Sequence, residues 1–200
     1  MTAPFTLRQL LGLPAAPAPL SQSVLILVDV QNTYLRGTMR LDGVEAALEE
    51  CVRLLTRARA AGVPVIHIQH DAGPGTPYDI RAEIGAIADP VAPLAGEPVV
   101  VKRHANAFIG TELEAHLRAL GAPRQLVVAG FMTHNCVNST ARGAVNLGWP
   151  VVVPAAATAT RALPAPGGGT VPAAEVQRAN LAGLSDAFAV VVAGGDDIPA

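Results

Sequence analysis

The sequence predicts an α/β fold, a three-layer α/β/α sandwich around a mostly parallel sheet of six strands, and three observations carry the prediction. The run SVLILVDV (23–30), the helical stretch GVEAALEECVRLLTRARAAG (43–62) and VPVIHIQH (63–70) read as one strand-helix-strand unit, which implies parallel pairing and a right-handed crossover. The same alternation of β-branched runs and helical periods continues to the C-terminus. Half of the 200 residues are apolar and only 15% are charged, enough to fill the single core of one domain and little reason to expect disorder.

Taken in order, residues 1–22 read as a loose N-terminal arm and 23–200 as the domain. Pro14, Pro17 and Pro19 interrupt the Leu/Ala stretch after Arg8, so it lacks the unbroken apolar segment of a signal peptide. In the first long helix Val44, Ala47, Leu48, Cys51, Leu54 and Leu55 recur at three- and four-residue spacing, with Glu45, Glu49, Glu50, Arg53 and Arg57 on the other face. Gly62 and Pro64 stop it. The Gly/Pro-rich stretch from Asp71 to Pro98 has no sustained period; it is either a substrate-contacting excursion or a plain surface loop.

A strand EPVVVKR (97–103) follows, then a helix GTELEAHLRALGA (110–122) with Thr111 placed to cap it, and a strand RQLVVAG (124–130). After the loop FMTHN, CVNSTARGAVNLGW (136–149) reads as a helix ending near Gly148. PVVVPAA (150–156) is a strand, VPAAEVQRANLAGLS (171–185) a helix and FAVVVA (188–193) the last strand. Gly167 to Gly169 lack the Gly-Lys-Ser/Thr ending of a phosphate loop and read as a flexible loop.

Charge and hydropathy exclude some functions. The net charge is −2 and the fourteen Lys and Arg residues are scattered, so no basic stripe exists for a phosphate backbone. Apolar runs such as Val24–Val28 are far shorter than the roughly 20 residues that span a bilayer. With only Cys51 and Cys136 there is no disulfide framework, and the protein is expected in the cytoplasm.

Three residues stand out chemically. Asp29 is the one charge in an apolar strand, near its carboxyl end, where open parallel sheets bind ligands. Lys102 closes another strand in the same way. Cys136 follows a strand and opens a helix, where the dipole and unpaired N–H groups are expected to lower a thiol pKa and to hold an oxyanion. His67 and His70, three apart on a strand, point to opposite faces and cannot share a metal ion.

The motifs LILVDVQNTYL with Asp29, VVKRHANAFIGTEL with Lys102 and LVVAGFMTHNCVNSTARGAVNLGWPVVV with Cys136, in that order, resemble the isochorismatase-like hydrolase family. These are cysteine hydrolases that include nicotinamidases and N-carbamoylsarcosine amidases, and the likeness runs from Val24 to the last strand near Val192. The resemblance implies a Rossmann-like sheet in which Asp29, Lys102 and Cys136 converge, with Asp29 as general base, Lys102 as electrostatic support and Cys136 as nucleophile. It implies a cis bond between Phe131 and Met132 and an oxyanion hole from the backbone N–H groups of Met132 and Cys136. Gln31, Asn32, Asn106 and Phe108 stand at pocket-lining positions, and Tyr34 and His134 either contact substrate or serve the structure.

The implied reaction is hydrolysis of the C–N bond of a small amide, ureide or carbamoyl substrate through a thioester, with no organic cofactor. No metal is expected, because Gly73 stands where nicotinamidases carry the histidine of an Asp-x-His loop that begins here at Asp71. Relatives of this kind resemble homodimers or homotetramers. One departure is Ala156, where the family often has an acidic residue. It motivates a second reading, a non-catalytic binding or assembly module with a vestigial site; a non-amide substrate and a redox-responsive thiol are further alternatives.

Overall fold

The computed structural model describes residues 4–121 and 124–200. In chain order the elements are α1 (Leu7–Leu10), β1 (Ser23–Val28), α2 (Asn32–Leu35), α3 (Val44–Ala60), β2 (Val65–His70), β3 (Val99–Lys102), α4 (Leu113–Ala119) and β4 (Gln125–Phe131). There follow α5 (Asn138–Asn146), β5 (Val151–Pro154), β6 (Thr158–Ala159), β7 (Leu163–Pro164), β8 (Thr170–Val171), α6 (Ala173–Ala187) and β9 (Val190–Val192).

Every residue of β1 is buried, because the strand is covered on both faces as the centre of a parallel sheet must be. The sheet runs β3-β2-β1-β4-β5-β9 with all neighbours parallel, and β6 adds to the end of β4 through Gly130↔Thr158 and Phe131↔Ala159. Alternate residues of β1 serve different cores. Leu25 and Leu27 pack with Leu54 and Leu55 of α3, whereas Val24, Ile26 and Val28 pack with Leu113 and Leu117 of α4 and Ala141 of α5. Each such fully buried aliphatic side chain is worth about 1.5–3 kcal/mol of transfer free energy.

The chain order creates the site. From β1 it moves outward through β2 to β3, then returns to pair β4 against the opposite side of β1. The carboxyl ends of β1 and β4 therefore flank a topological switch point, the crevice where open α/β sheets bind ligands.

The six expected strands are present, and β6, two residues long and just beyond the expected strand 150–156, is a seventh in the same sheet. The Gly167–Gly169 segment is the tip of a small antiparallel hairpin, β7-β8, and all three glycines have positive φ. The loop FMTHN is mostly a π-helical turn, Thr133–Val137, that leads into α5, so Cys136 sits one residue inside that turn's end and does not open the α-helix. Helix α4 begins at Leu113 with Glu112 at its cap position; Thr111 sits one residue earlier, its Oγ1 accepting from the Leu113 N–H at 3.3 Å. The expected end of that helix at Ala122 lies outside the described residues.

Two further corrections concern burial. Glu50, assigned to the solvent face of α3, is buried because its Oε1 accepts from the Gly195 backbone N–H at 2.6 Å while Arg53 neutralises it. The arm, from residue 4 onward, is docked: Leu7 N donates to Asp186 of α6, Ala18 N donates to Gln125 Oε1, and Leu20 N donates to Pro199 O. A polar backbone that finds these acceptors has no reason to stay loose.

Candidate active site

Asp29 follows β1, Lys102 ends β3, and Cys136 follows β4, so each side chain leaves from a strand's carboxyl end. Asp29 has φ +49°, a left-handed conformation that Asp tolerates better than most residues but that still costs about 1–2 kcal/mol. Its N–H reaches Ile68 O at 3.0 Å, continuing the β1–β2 ladder, while its carbonyl accepts from Gln31 N at 2.8 Å. This turn swings the carboxylate across the end of the sheet. Gly130 lets β4 close against β1 just before this turn: a Cβ there would sit 2.1 Å from the Val28 carbonyl oxygen, and its φ is +109°. The bond between Phe131 and Met132 is cis, as the resemblance implies.

Lys102 bridges two strands to arrive. Neighbouring strands lie about 4.8 Å apart, so a side chain from β3 must cross the end of β2 to meet β1, and the long aliphatic stem does so. Its Nζ stands 2.8 Å from Asp29 Oδ2, 3.2 Å from Cys136 Sγ and 3.1 Å from His70 Nδ1. Asp29, Lys102 and Cys136 are all within 3% of full burial.

Among the described residues, neither Asp29 oxygen has a well-directed hydrogen bond; the carboxylate is compensated by proximity to the Lys102 cation. A buried carboxylate left with open lone pairs beside a thiol is an acceptor for that thiol's proton. Burial pushes the Asp29 pKa up, with Lys102 pulling it back. Burial also pushes the Cys136 thiol up to about 12, and the negative charge of Asp29 adds to the rise while Lys102 opposes it. Desolvation and the neighbouring carboxylate thus act against the acidification expected of a thiol at a helix N-terminus.

Around the three residues lies an aromatic wall. The Tyr34 ring is buried edge-on to Phe131 and Tyr78, at centroid distances of 5.9 and 5.8 Å, and His70 meets Tyr78 edge-on at 5.1 Å. Burial and the nearby Asp29 and Cys136 push the Tyr34 phenol up, so it stays a neutral donor. Tyr78 was not singled out from the sequence. Its signal is that it is the one aromatic in the stretch 71–98, which makes that stretch a wall of the site.

The other expected substrate contacts divide. Gln31 is fully buried and both of its amide hydrogens are used, on His70 O at 3.1 Å and Gly85 O at 2.7 Å, while its Oε1 accepts from His70 N at 2.9 Å. No donor is left for a ligand, so Gln31 holds the scaffold. Asn32 donates to Glu83 O, and the single Thr33 hydroxyl proton is shared between the carbonyls of Pro77 and Ile84, pinning the 71–98 stretch over the site. Asn106 accepts from Phe108 N at 3.0 Å and lies against Gly143 of α5, where a Cβ would come within 2.4 Å of its amide; Phe108 packs on the second core. His134 pairs through Nδ1 with Thr160 Oγ1, and burial lowers its pKa, aided by Arg161.

His67 and His70 have separate partners: His67 Nε2 meets Glu97 Oε2 at 2.9 Å, away from Lys102. Asp71 pairs with Arg81 and accepts from Gly73 N. Ala156 is exposed and lines a cavity with Asp42, Arg53 and Gln177, so the missing family carboxylate is not a neighbour of Asp29, Lys102 or Cys136.

Comparison with known proteins identifies the family. Residues 23–195 match the isochorismatase domain model. The chain is 33% identical over 190 residues to a secreted isochorismatase effector of Verticillium dahliae, covering 94% of this chain and 97% of that one. It is 33% identical over 175 residues to a ureidoacrylate amidohydrolase of Azorhizobium caulinodans, covering 68% and 77%. A crystal structure of an isochorismatase from Pseudomonas putida KT2440 superposes with a TM-score of 0.92 at 36% identity, covering 98% of this chain and 100% of that one. On fold, site geometry and sequence together, the chain belongs to the isochorismatase family of hydrolases.

Proposed function

We propose that the protein is a cysteine-dependent hydrolase that cleaves the C–N bond of a small amide, ureide or carbamoyl substrate through a thioester. The observation that carries the reading is the Lys102 cation lying 2.8 Å from Asp29 and 3.2 Å from Cys136, in a site where the Asp29 oxygens are otherwise unbonded. The Azorhizobium relative, a ureidoacrylate amidohydrolase, favours amide chemistry over other electrophiles.

Each step then has an owner. Asp29 takes the Cys136 proton as Sγ bonds to the carbonyl carbon, and Lys102 offsets the charge of whichever partner is anionic. The same burial that raises the thiol also raises Asp29, which makes the carboxylate a stronger base than in water. The backbone N–H groups of Met132 and Cys136 take the oxyanion. On collapse the C–N bond breaks and the leaving amine carries off the proton held by Asp29. Asp29 next deprotonates a water that attacks the thioester, and the returning proton restores the thiol. Tyr34, Tyr78 and His134 bound the substrate, and no step calls for a metal or organic cofactor.

The same reading keeps the protein in the cytoplasm, where Cys136 stays reduced. Among the described residues no helix is long and apolar enough to cross a membrane. It also carries forward a homodimer or homotetramer, because exposed apolar side chains such as Phe5, Leu10, Leu11, Leu94, Val99 and Val101 favour association; a monomer mass by light scattering removes that part.

The test is ammonia release over a panel of nicotinamide, carbamoyl amino acids, ureides, lactams and simple amides, with and without a chelator. Turnover that survives the chelator and disappears in Cys136→Ala is the expected result. Turnover retained in Cys136→Ala overturns the mechanism.

A further inference from the structure

The Lys102 ammonium has three close neighbours in this site: Asp29 Oδ2, its ion-pair partner at 2.8 Å, and Cys136 Sγ and His70 Nδ1, which stand at hydrogen-bond distance, 3.2 and 3.1 Å. The first two belong to the proposed reaction. The third belongs to a residue that the reaction does not use, and its placement is over-determined. The His70 backbone is clamped at both ends by one side chain, Gln31, which accepts from its N–H and donates to its carbonyl. Gln31 lies two residues after Asp29, so the clamp ties the end of β2 to the turn that presents the carboxylate. On its other side His70 is in register with Lys102 itself, and Asp71 N donates to Lys102 O at 2.9 Å. The imidazole is further held edge-on against Tyr78.

We propose that His70 is a positioning residue that accepts a hydrogen bond from Lys102 and thereby holds the cation between Asp29 and Cys136. This rests on the catalytic reading above and deepens it. A ring that accepts at Nδ1 from an ammonium must be neutral and carry its proton on Nε2, because a protonated imidazole has no lone pair to offer. The surroundings favour that form: burial and Lys102 push the His70 pKa down to about 4, with Asp71 opposing and His104 adding to the fall. Asp29 and Cys136 lie across Lys102, and Tyr78 is the ring packed against the imidazole. Without the acceptor, one N–H of a buried ammonium is left unsatisfied, and Nζ shifts away from the thiol to find another partner.

The experiment measures the rate of Cys136 alkylation by iodoacetamide, itself a primary amide, as a function of pH in five intact proteins, the parent and four variants. His70→Phe keeps a ring against Tyr78 and removes the acceptor; His70→Asn removes the ring and keeps an oxygen near the Nδ1 position. Cys136→Ala shows that the label goes to Cys136 and not to the buried Cys51. We expect the alkylation profile of His70→Phe to move to higher pH by about one unit, roughly a tenfold loss of rate in the neutral range. His70→Asn stays within about threefold of the parent protein. The reverse order, with Phe tolerated and Asn impaired, assigns His70 to packing alone and overturns the inference, as does an unchanged profile in both. Asp29→Asn in the same assay reports on the underlying mechanism separately: a profile that does not move there removes the Asp29–Cys136 coupling whatever the His70 variants do.

Discussion

At the scale of single residues, the centre of the site is a compromise between burial and charge. Asp29 opposes ionisation of Cys136 and is also the base the thiol needs, so its removal has two effects of opposite sign. In Asp29→Asn the anion that opposes the thiolate is gone while Lys102 remains. The pH at which Cys136 alkylates should therefore fall, yet turnover should be lost, because nothing protonates the leaving amine or activates water. An alkylation profile compared with single-turnover hydrolysis checks this, and a variant that lost both or kept both would contradict the assignment. Gly130 is a second residue with a sharp prediction. A methyl group there meets the Val28 carbonyl oxygen at 2.1 Å with φ at +109°, so Gly130→Ala must part β1 from β4 at the switch point. We expect destabilisation of at least about 1–3 kcal/mol in chemical denaturation, with slower Cys136 alkylation in the fraction that folds.

At the scale of elements, what the sequence revealed and what it hid follow from the range of the interactions. The strands and α3 were legible because burial on both faces of β1 and on one face of α3 leaves a period in the apolar residues. Asp29, Lys102 and Cys136 were legible because each interrupts or follows such a run and because their motifs resemble a known family. The roles of Gln31, Tyr78 and His70 were not, since they depend on how the stretch 71–98 folds back over the strand ends, and a non-periodic chain carries no trace of that. The same holds for Glu97, which precedes β3 and joins three elements: it accepts from Arg59 of α3 at 2.8 Å, from His67 of β2 at 2.9 Å and from Leu94 N. Arg59 above all holds the Glu97 pKa down to about 2. A carboxylate depressed in the folded state stabilises above its unfolded pKa, about 4.3 for Glu, and loses that contribution as pH falls through the folded value. Glu97→Gln should thus lose about 1–3 kcal/mol at pH 7, with the gap from the parent protein closing between pH 4 and pH 2. Urea denaturation at pH 7, 4 and 2.5 reads the trend, and a gap independent of pH would remove the charge from the explanation.

At the scale of the whole molecule, the sheet separates two ends with different duties. Asp29, Lys102 and Cys136 gather at the carboxyl ends of the strands, and the arm docks at the amino ends. Ala18 is exchanged with Gln125 at the start of β4, and Arg8, Leu13, Pro14 and Pro17 line a cavity of about 600 Å³ whose other walls include Trp149, Pro150, Val151 and Val190, where β5 and β9 begin. No residue of α1 is buried, and its attachment to α6 rests on the Leu7 N–H donated to Asp186 together with surface packing. A chain beginning at Pro17 should therefore lose only a modest share of its stability, a thermal midpoint lower by about 2–4 °C for each kcal/mol removed. The rate of Cys136 alkylation should be unchanged, because the strand registers that fix the site, from Leu25↔Val65 through Val28↔Gly130, contain no arm residue. A truncated protein that melts with little change yet alkylates Cys136 much more slowly would show that the arm reaches the chemistry across the sheet, and the division of duties between the two ends would have to be abandoned.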